Sequence, residues 1–154
     1  MDNREAAKAV FAVASLLESQ GANPYRVRAY RRAAAGMLLL PADANRYADT
    51  RGELQLPWLG ARLRRKLGEL VLQGHMQFYD DLIASLPAAL RELLRVPGIG
   101  PKTADRLSRE LGLKSVPDVA HAARDGRLRQ LRGIGAARER QLGAAAESLL
   151  AAAA

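Results

Sequence analysis

Val96-Pro97-Gly98-Ile99-Gly100-Pro101-Lys102-Thr103-Ala104 is the stretch on which the reading of this chain turns. Two glycines flank one isoleucine, and the segments on either side, Ala88 to Arg95 and Pro101 to Leu111, have helical periodicity. Glycine permits unusual backbone angles and lets the main chain approach a ligand closely. Pro101 is preset for a first helical position and Gly112 suits a C-cap. The pattern predicts a tight apolar hairpin that delivers the start of a helix. Such a start carries free N–H groups and the positive end of the helix dipole, which suit a phosphate oxygen. Lys102 and Thr103 stand where a side chain adds a further contact to the same anion.

Two other segments repeat the pattern: Leu56-Pro57-Trp58-Leu59-Gly60 and Leu131-Arg132-Gly133-Ile134-Gly135. The last glycines are 40 and 35 residues apart, and a leucine follows each by seven residues, at Leu67, Leu107 and Leu142. Repetition at this period marks one supersecondary unit used three times. The outer copies are degenerate, with Trp58 in place of the first glycine and Arg132 in place of proline. Arg138 in the last unit, and Arg62, Arg64 and Arg65 in the first, take the position of Lys102 and Thr103. Contacts of this kind go to phosphates and carry no sequence information. Residues 96–104 resemble the helix-hairpin-helix motif almost position for position, so DNA is the expected partner.

The rest of the chain predicts helix throughout. Apolar residues recur at helical spacing from Glu5 to Gln20, and Asn23-Pro24 starts a second helix reaching about Leu40. That helix carries Arg26, Arg28, Tyr30, Arg31 and Arg32, read as one basic stripe with aromatics beside it. Further helices are expected over Ala61–Leu72, Phe78–Ser85, a short segment after Ser115, and the region beyond Gly135. No segment alternates with period two, so the fold class is all-α. The net charge of +8, with 20 of the 24 basic residues arginine, favours a polyanion. There is no cysteine, which excludes disulfides and zinc–thiolate sites and makes a reducing cytoplasm the expected compartment. No apolar run approaches the roughly 20 residues of a membrane span, and the charged N-terminus lacks a signal peptide's apolar stretch. His75 and His121 lack partners at metal-ligand spacing. Trp58 and Phe78 are expected in the core, with base stacking the alternative for Trp58.

Taken in order, these blocks resemble the N-terminal part of family X DNA polymerases, particularly the bacterial type. Asn23-Pro24-Tyr25-Arg26-Val27-Arg28-Ala29-Tyr30-Arg31-Arg32-Ala33-Ala34 is similar to the family's helix after a Gly-x-Asn-Pro turn. Leu56 to Leu72 resembles the lyase domain's hairpin and second helix, Gln73-Gly74-His75 its Thr-Gly-basic break, and Pro87 to Ser148 the next two hairpins. The resemblance implies a domain like the N-terminal domain of DNA polymerase beta over residues 1–80, then a paired helix-hairpin-helix domain over 81–154. The family's polymerase palm has no counterpart here, and neither Asp80 with Asp81 nor Asp2 with Glu5 makes a two-metal carboxylate site, so nucleotide transfer is not expected.

The resemblance also implies site residues. Lys66 falls on the position of the lyase nucleophile, which forms a Schiff base with the open-chain sugar of an abasic site. Arg62, Arg64 and Arg65 would favour its neutral amine. Arg26, Tyr30 and Arg62 fall on the 5′-phosphate pocket. The backbone carbonyls of Leu94, Val96 and Ile99 match a monovalent-cation site for sodium or potassium, and no other cofactor is expected. Gly98, Ile99, Gly100, Lys102, Thr103, Gly133, Ile134, Gly135 and Arg138 are the expected backbone-gripping residues. The implied role is binding gapped, nicked or 5′-phosphorylated DNA in repair, at a bacterial nucleoid. Rival readings are a lyase acting through Lys66, a scaffold recruiting a repair protein through residues such as Leu38 or Leu39, and RNA binding, disfavoured because hairpins of this kind fit duplex phosphates and no aromatic platform is evident.

Overall fold

The first helix is set by its cap. Asp2 accepts the N–H of Glu5 at 2.7 Å and Glu5 returns a bond from the N–H of Asp2, a capping box that opens α1 over Asn3–Ser19. Asn23 caps α2, Pro24–Leu38, by accepting the N–H of Tyr25. The computed structural model describes residues 1–154: after a 3-10 turn over Ala44–Tyr47 come α3 (Ala61–Gln73), α4 (Gln77–Ala84), α5 (Ala88–Leu94) and α6 (Pro101–Leu111). Then α7 (Val116–Arg124), a 3-10 turn over Leu128–Gln130 and α8 (Ala136–Ala153) complete the chain. There is no strand, only an isolated bridge between Ala48 and Leu54. The chain is all-helical.

It divides into two units, Met1–Ser85 and Leu86–Ala154, each with its own core. In the first, α1 and α2 pack along each other, burying Val10, Val13, Leu17, Val27, Tyr30 and Met37. Leu67 and Leu70 bring α3 into the same core, and Phe78, Tyr79 and Leu82 bring α4 against it. A boundary after residue 80 would cut α4, whose packing keeps it whole within the first unit. Gly68 lets α3 touch the preceding loop: a Cβ there would lie 1.7 Å from the carbonyl oxygen of Gly52.

In the second unit Leu93, Val96, Leu107, Val119, Leu128 and Leu142 form the core, and Gly143 lets α8 meet Ala123 of α7. The three leucines seven residues beyond the hairpins, Leu67, Leu107 and Leu142, are all buried. Each lies two turns into its helix and faces inward, and such burial contributes about 2 kcal/mol per side chain. Gly112 ends α6 in the left-handed conformation (φ 67°), as expected of a C-cap glycine.

The core placement expected of Trp58 is overturned: the residue is 45% exposed, with its benzo ring laid against Gly36 of α2. The tip of a hairpin outside the α1–α2 layer offers an indole only one face of protein.

Candidate functional site

The three hairpins close in the same way. The N–H of Leu59 donates to the carbonyl of Leu56 at 3.0 Å, that of Ile99 to Val96 at 3.0 Å, and that of Ile134 to Leu131 at 3.1 Å. Leu59, Ile99 and Ile134 are buried and anchor each turn to its core. In the second and third hairpins the third turn residue is Gly98 (φ 94°) or Gly133 (φ 91°), conformations that favour glycine. In the first it is Trp58, and no residue other than glycine has positive φ, so this turn is of another type.

The second glycine of each motif behaves differently from the unusual-angle role expected of it. Gly60, Gly100 and Gly135 are extended N-caps, with φ of −73°, −94° and −89°, which any residue adopts. A Cβ on any of them would meet no protein atom within 4 Å. No side chain caps α3, α6 or α8, whereas Asp2, Asn23 and Ser115 cap α1, α2 and α7. Neither backbone strain nor packing requires glycine at these three helix starts. What glycine keeps open there is the space outside the protein, in front of first-turn N–H groups.

Around the second-unit hairpins the expected polar residues adjoin one another. Arg138 Nη2 donates to Thr103 Oγ1 at 3.2 Å, linking the first turns of α8 and α6. Arg106 Nη1 donates to the carbonyl of Arg132 at 2.7 Å, tying α6 to the third hairpin. Lys102 is exposed beside Thr103. The side chain of Leu142 lies 3.1 Å from where a Cβ on Gly98 would sit. The carbonyl of Val96 accepts the Ile99 N–H and keeps its second lone pair.

A second cluster forms in the first unit. Lys66 Nζ lies 3.4 Å from Tyr30 Oη and 3.8 Å from the centre of the Phe78 ring. The guanidinium of Arg26 stands 4.9 Å over the same ring, and the Tyr30 and Phe78 rings stack at 6.1 Å. Partial burial holds the Lys66 amine below its ordinary lysine value, helped by the charges of Arg26, Arg62 and Arg65. Burial raises the Tyr30 phenol, partly offset by Arg26. Arg26, Tyr30, Arg62 and Lys66 thus share one locality. Arg64 does not act on Lys66; its Nε donates to the Leu59 carbonyl at 3.0 Å.

The basic stripe expected on α2 is not one stripe. Arg26 turns toward Phe78, while Arg28 stacks on Tyr25 at 4.6 Å and Arg31 pairs with Glu18 on α1. Four cations spread over 26–32 cannot share a face at 3.6 residues per turn. His75 has an acidic neighbour after all, Asp80 at 3.5 Å, though no three His, Asp or Glu side chains converge as metal ligands. Phe78 is half-buried, and its service as the shared face for Lys66 and Arg26 has no signature in the sequence. The same holds for Glu139, buried at the start of α8, whose carboxylate accepts from the backbone N–H and the guanidinium of Arg129 at 2.7–3.0 Å. Those bonds hold its carboxyl below the usual range.

Residues 1–76 match the family described as a helix-hairpin-helix domain, and residues 90–148 the SAM-like helix-hairpin-helix tandem. Among curated proteins, the DNA polymerase/3′-5′ exonuclease PolX of Bacillus subtilis (strain 168) is 25% identical over 142 residues, or 92% of this chain. The match lies in the N-terminal part of that protein and covers 24% of it, so the chain spans about a quarter of the length of the relative it matches. No helix is long and apolar enough to cross a membrane.

Proposed function

Since its first half is a helix-hairpin-helix domain and its second a SAM-like helix-hairpin-helix tandem, we propose that this chain grips DNA by the phosphate backbone without reading base sequence. One observation carries the reading: three helix starts end in glycines that nothing in the fold requires and that face open space. A phosphate oxygen can approach the first-turn N–H groups there, and Lys102, Thr103 and Arg138 or Arg62 supply charge-assisted contacts beside it. A monovalent cation held by the carbonyls of Leu94, Val96 and Ile99 would add positive charge at the second hairpin.

The partners that fit best are gapped, nicked or 5′-phosphorylated duplexes in repair, on the cytoplasmic nucleoid. Arg26, Arg62 and Lys66 crowd positive charge beside the Tyr30 hydroxyl, a composition suited to a terminal phosphate dianion. Replacing Gly60, Gly100 and Gly135 together by alanine tests the reading. Their angles suit alanine, a poorer N-cap than glycine, so each change should cost up to about 1 kcal/mol of stability and leave the chain folded, while each blocked N–H site should weaken DNA binding about tenfold. Unchanged affinity in the folded variant sinks the proposal.

The Lys66 cluster favours a second reading, that of a lyase. The neutral amine attacks the C1′ aldehyde of a 5′-deoxyribose phosphate and water leaves to give the Schiff base. Loss of a C2′ proton then expels the 3′-phosphate strand by β-elimination. The observation behind it is an amine whose protonation is disfavoured, set among cations that suit the substrate's phosphate. Leu38 and Leu39, 58% and 83% exposed, offer an apolar edge for a repair-protein partner.

A further inference from the structure

We propose that Trp58 is a stacking platform for one unpaired nucleobase beside the first hairpin; the inference rests on the DNA-binding reading above. Neither the turn nor the core accounts for the residue. Its sister positions hold left-handed glycines, yet this turn closes on the same hydrogen bond with a non-glycine φ. Its indole is 45% exposed, unlike the anchoring Leu59 beside it, which is buried.

What the fold does supply is a seat. Gly36 leaves room on α2 for one side of the ring, since a Cβ there would lie 2.6 Å from two benzo carbons of Trp58. The outer benzo carbons of the indole therefore rest on α2 while 45% of the residue stays exposed. A rigid, half-covered aromatic suits a base, because ordering it again on binding costs little.

Position and charge select the occupant. Trp58 lies two residues before Gly60, the open cap of α3, and two extended residues span at most about 7 Å. That is the scale separating a backbone phosphate from its own or a neighbouring base. Together α2 and α3 carry eight cations and a single carboxylate, Glu69. Arg32, one turn before Gly36 on the same helix face, and Arg62 are both exposed. An apolar protein segment would gain nothing from that charge, whereas a nucleotide uses both charge and ring. In intact duplex the bases are already stacked, so the platform serves a base left unpaired, such as the template base in a gap.

Trp58 is the chain's single tryptophan, so its own fluorescence reports the contact. The full chain is titrated with a duplex carrying a one-nucleotide gap, and with the same duplex lacking the template base in that gap. Binding is followed separately by anisotropy of labelled DNA. Stacking predicts strong quenching with the first DNA and little with the second. Trp58→Ala should lose about fivefold or more in affinity for the first DNA only, and Trp58→Phe should keep most of it. Binding with equal fluorescence on both DNAs, or an equal loss on both in Trp58→Ala, overturns the platform and leaves the backbone grip standing. Absence of any binding by anisotropy overturns the grip and the platform together. The wild-type comparison decides the matter even where Trp58→Ala fails to fold.

Discussion

An ammonium set against an aromatic face and ringed by guanidiniums is under opposing pulls. The Phe78 ring favours the charged form, while burial first, and then Arg26, Arg62 and Arg65, favour the neutral amine. The net direction is downward, so a larger neutral fraction exists near neutral pH than in free lysine. The sign for stability follows: the unfolded chain holds this proton more tightly, so Lys66 favours folding more as pH rises between the lowered and the ordinary value. For the lyase reading, borohydride trapping on a gapped duplex with a 5′-deoxyribose phosphate should give a covalent adduct that Lys66→Ala abolishes. Adduct formation should rise with pH through a midpoint below that of ordinary lysine. Arg26→Gln should move this midpoint upward but not fully back, because burial remains. An adduct surviving in Lys66→Ala would assign the chemistry elsewhere; no adduct with binding retained would leave a non-catalytic DNA-binding module. At this scale the sequence is only partly legible. Lys66 and Tyr30 stand out through the motif block each belongs to, but Phe78 and Glu139 act on partners 12 and 10 residues away, set only by tertiary packing.

Helix limits were legible where local chemistry sets them. Asn23-Pro24, Pro101, Gly112 and Ser115 mark ends that the backbone places at those residues, because capping is a contact between near neighbours in the chain. Features depending on what lies across an element were not legible. Trp58 reads as core until its place over Gly36 is known, and the domain boundary reads as residue 80 until the packing of α4 is seen. Glycine makes the same point within α3. Gly60 at its start faces nothing, while Gly68 two turns on would drive a Cβ to 1.7 Å from the Gly52 oxygen. Alanine at a helix interior normally gains up to about 1 kcal/mol over glycine. Here the backbone of residues 52–53 must move instead, and Gly68→Ala should cost about 1–3 kcal/mol. A urea melt reads the difference as a lowered midpoint with the slope unchanged. A midpoint at or above wild type would show that the loop yields freely and that its seat on α3 adds no stability.

Over the whole chain, the charge is divided between the two units: +3 in residues 1–85 and +5 in residues 86–154. Neither is a charged tail on a neutral domain, and each unit holds at least one open, glycine-capped helix start. If both grip the same duplex, the phosphates each neutralises add together. With about four to six phosphates in all, log affinity should fall with log salt at a slope of roughly −4 to −5. A fourfold rise in salt then weakens binding by roughly 250- to 1,000-fold. Because each unit has its own core, residues 1–85 and 86–154 can be made separately and their slopes compared with that of the whole. The two slopes should sum to the intact value, while the intact chain should bind tighter than either half by a factor on the order of 100 or more, the gain from tethering. Should one half reproduce the full slope, the other does not touch phosphate, and the grip belongs to a single unit. A flat dependence in the intact chain is the more severe result, since no arrangement of helix starts and arginines on phosphates could produce it.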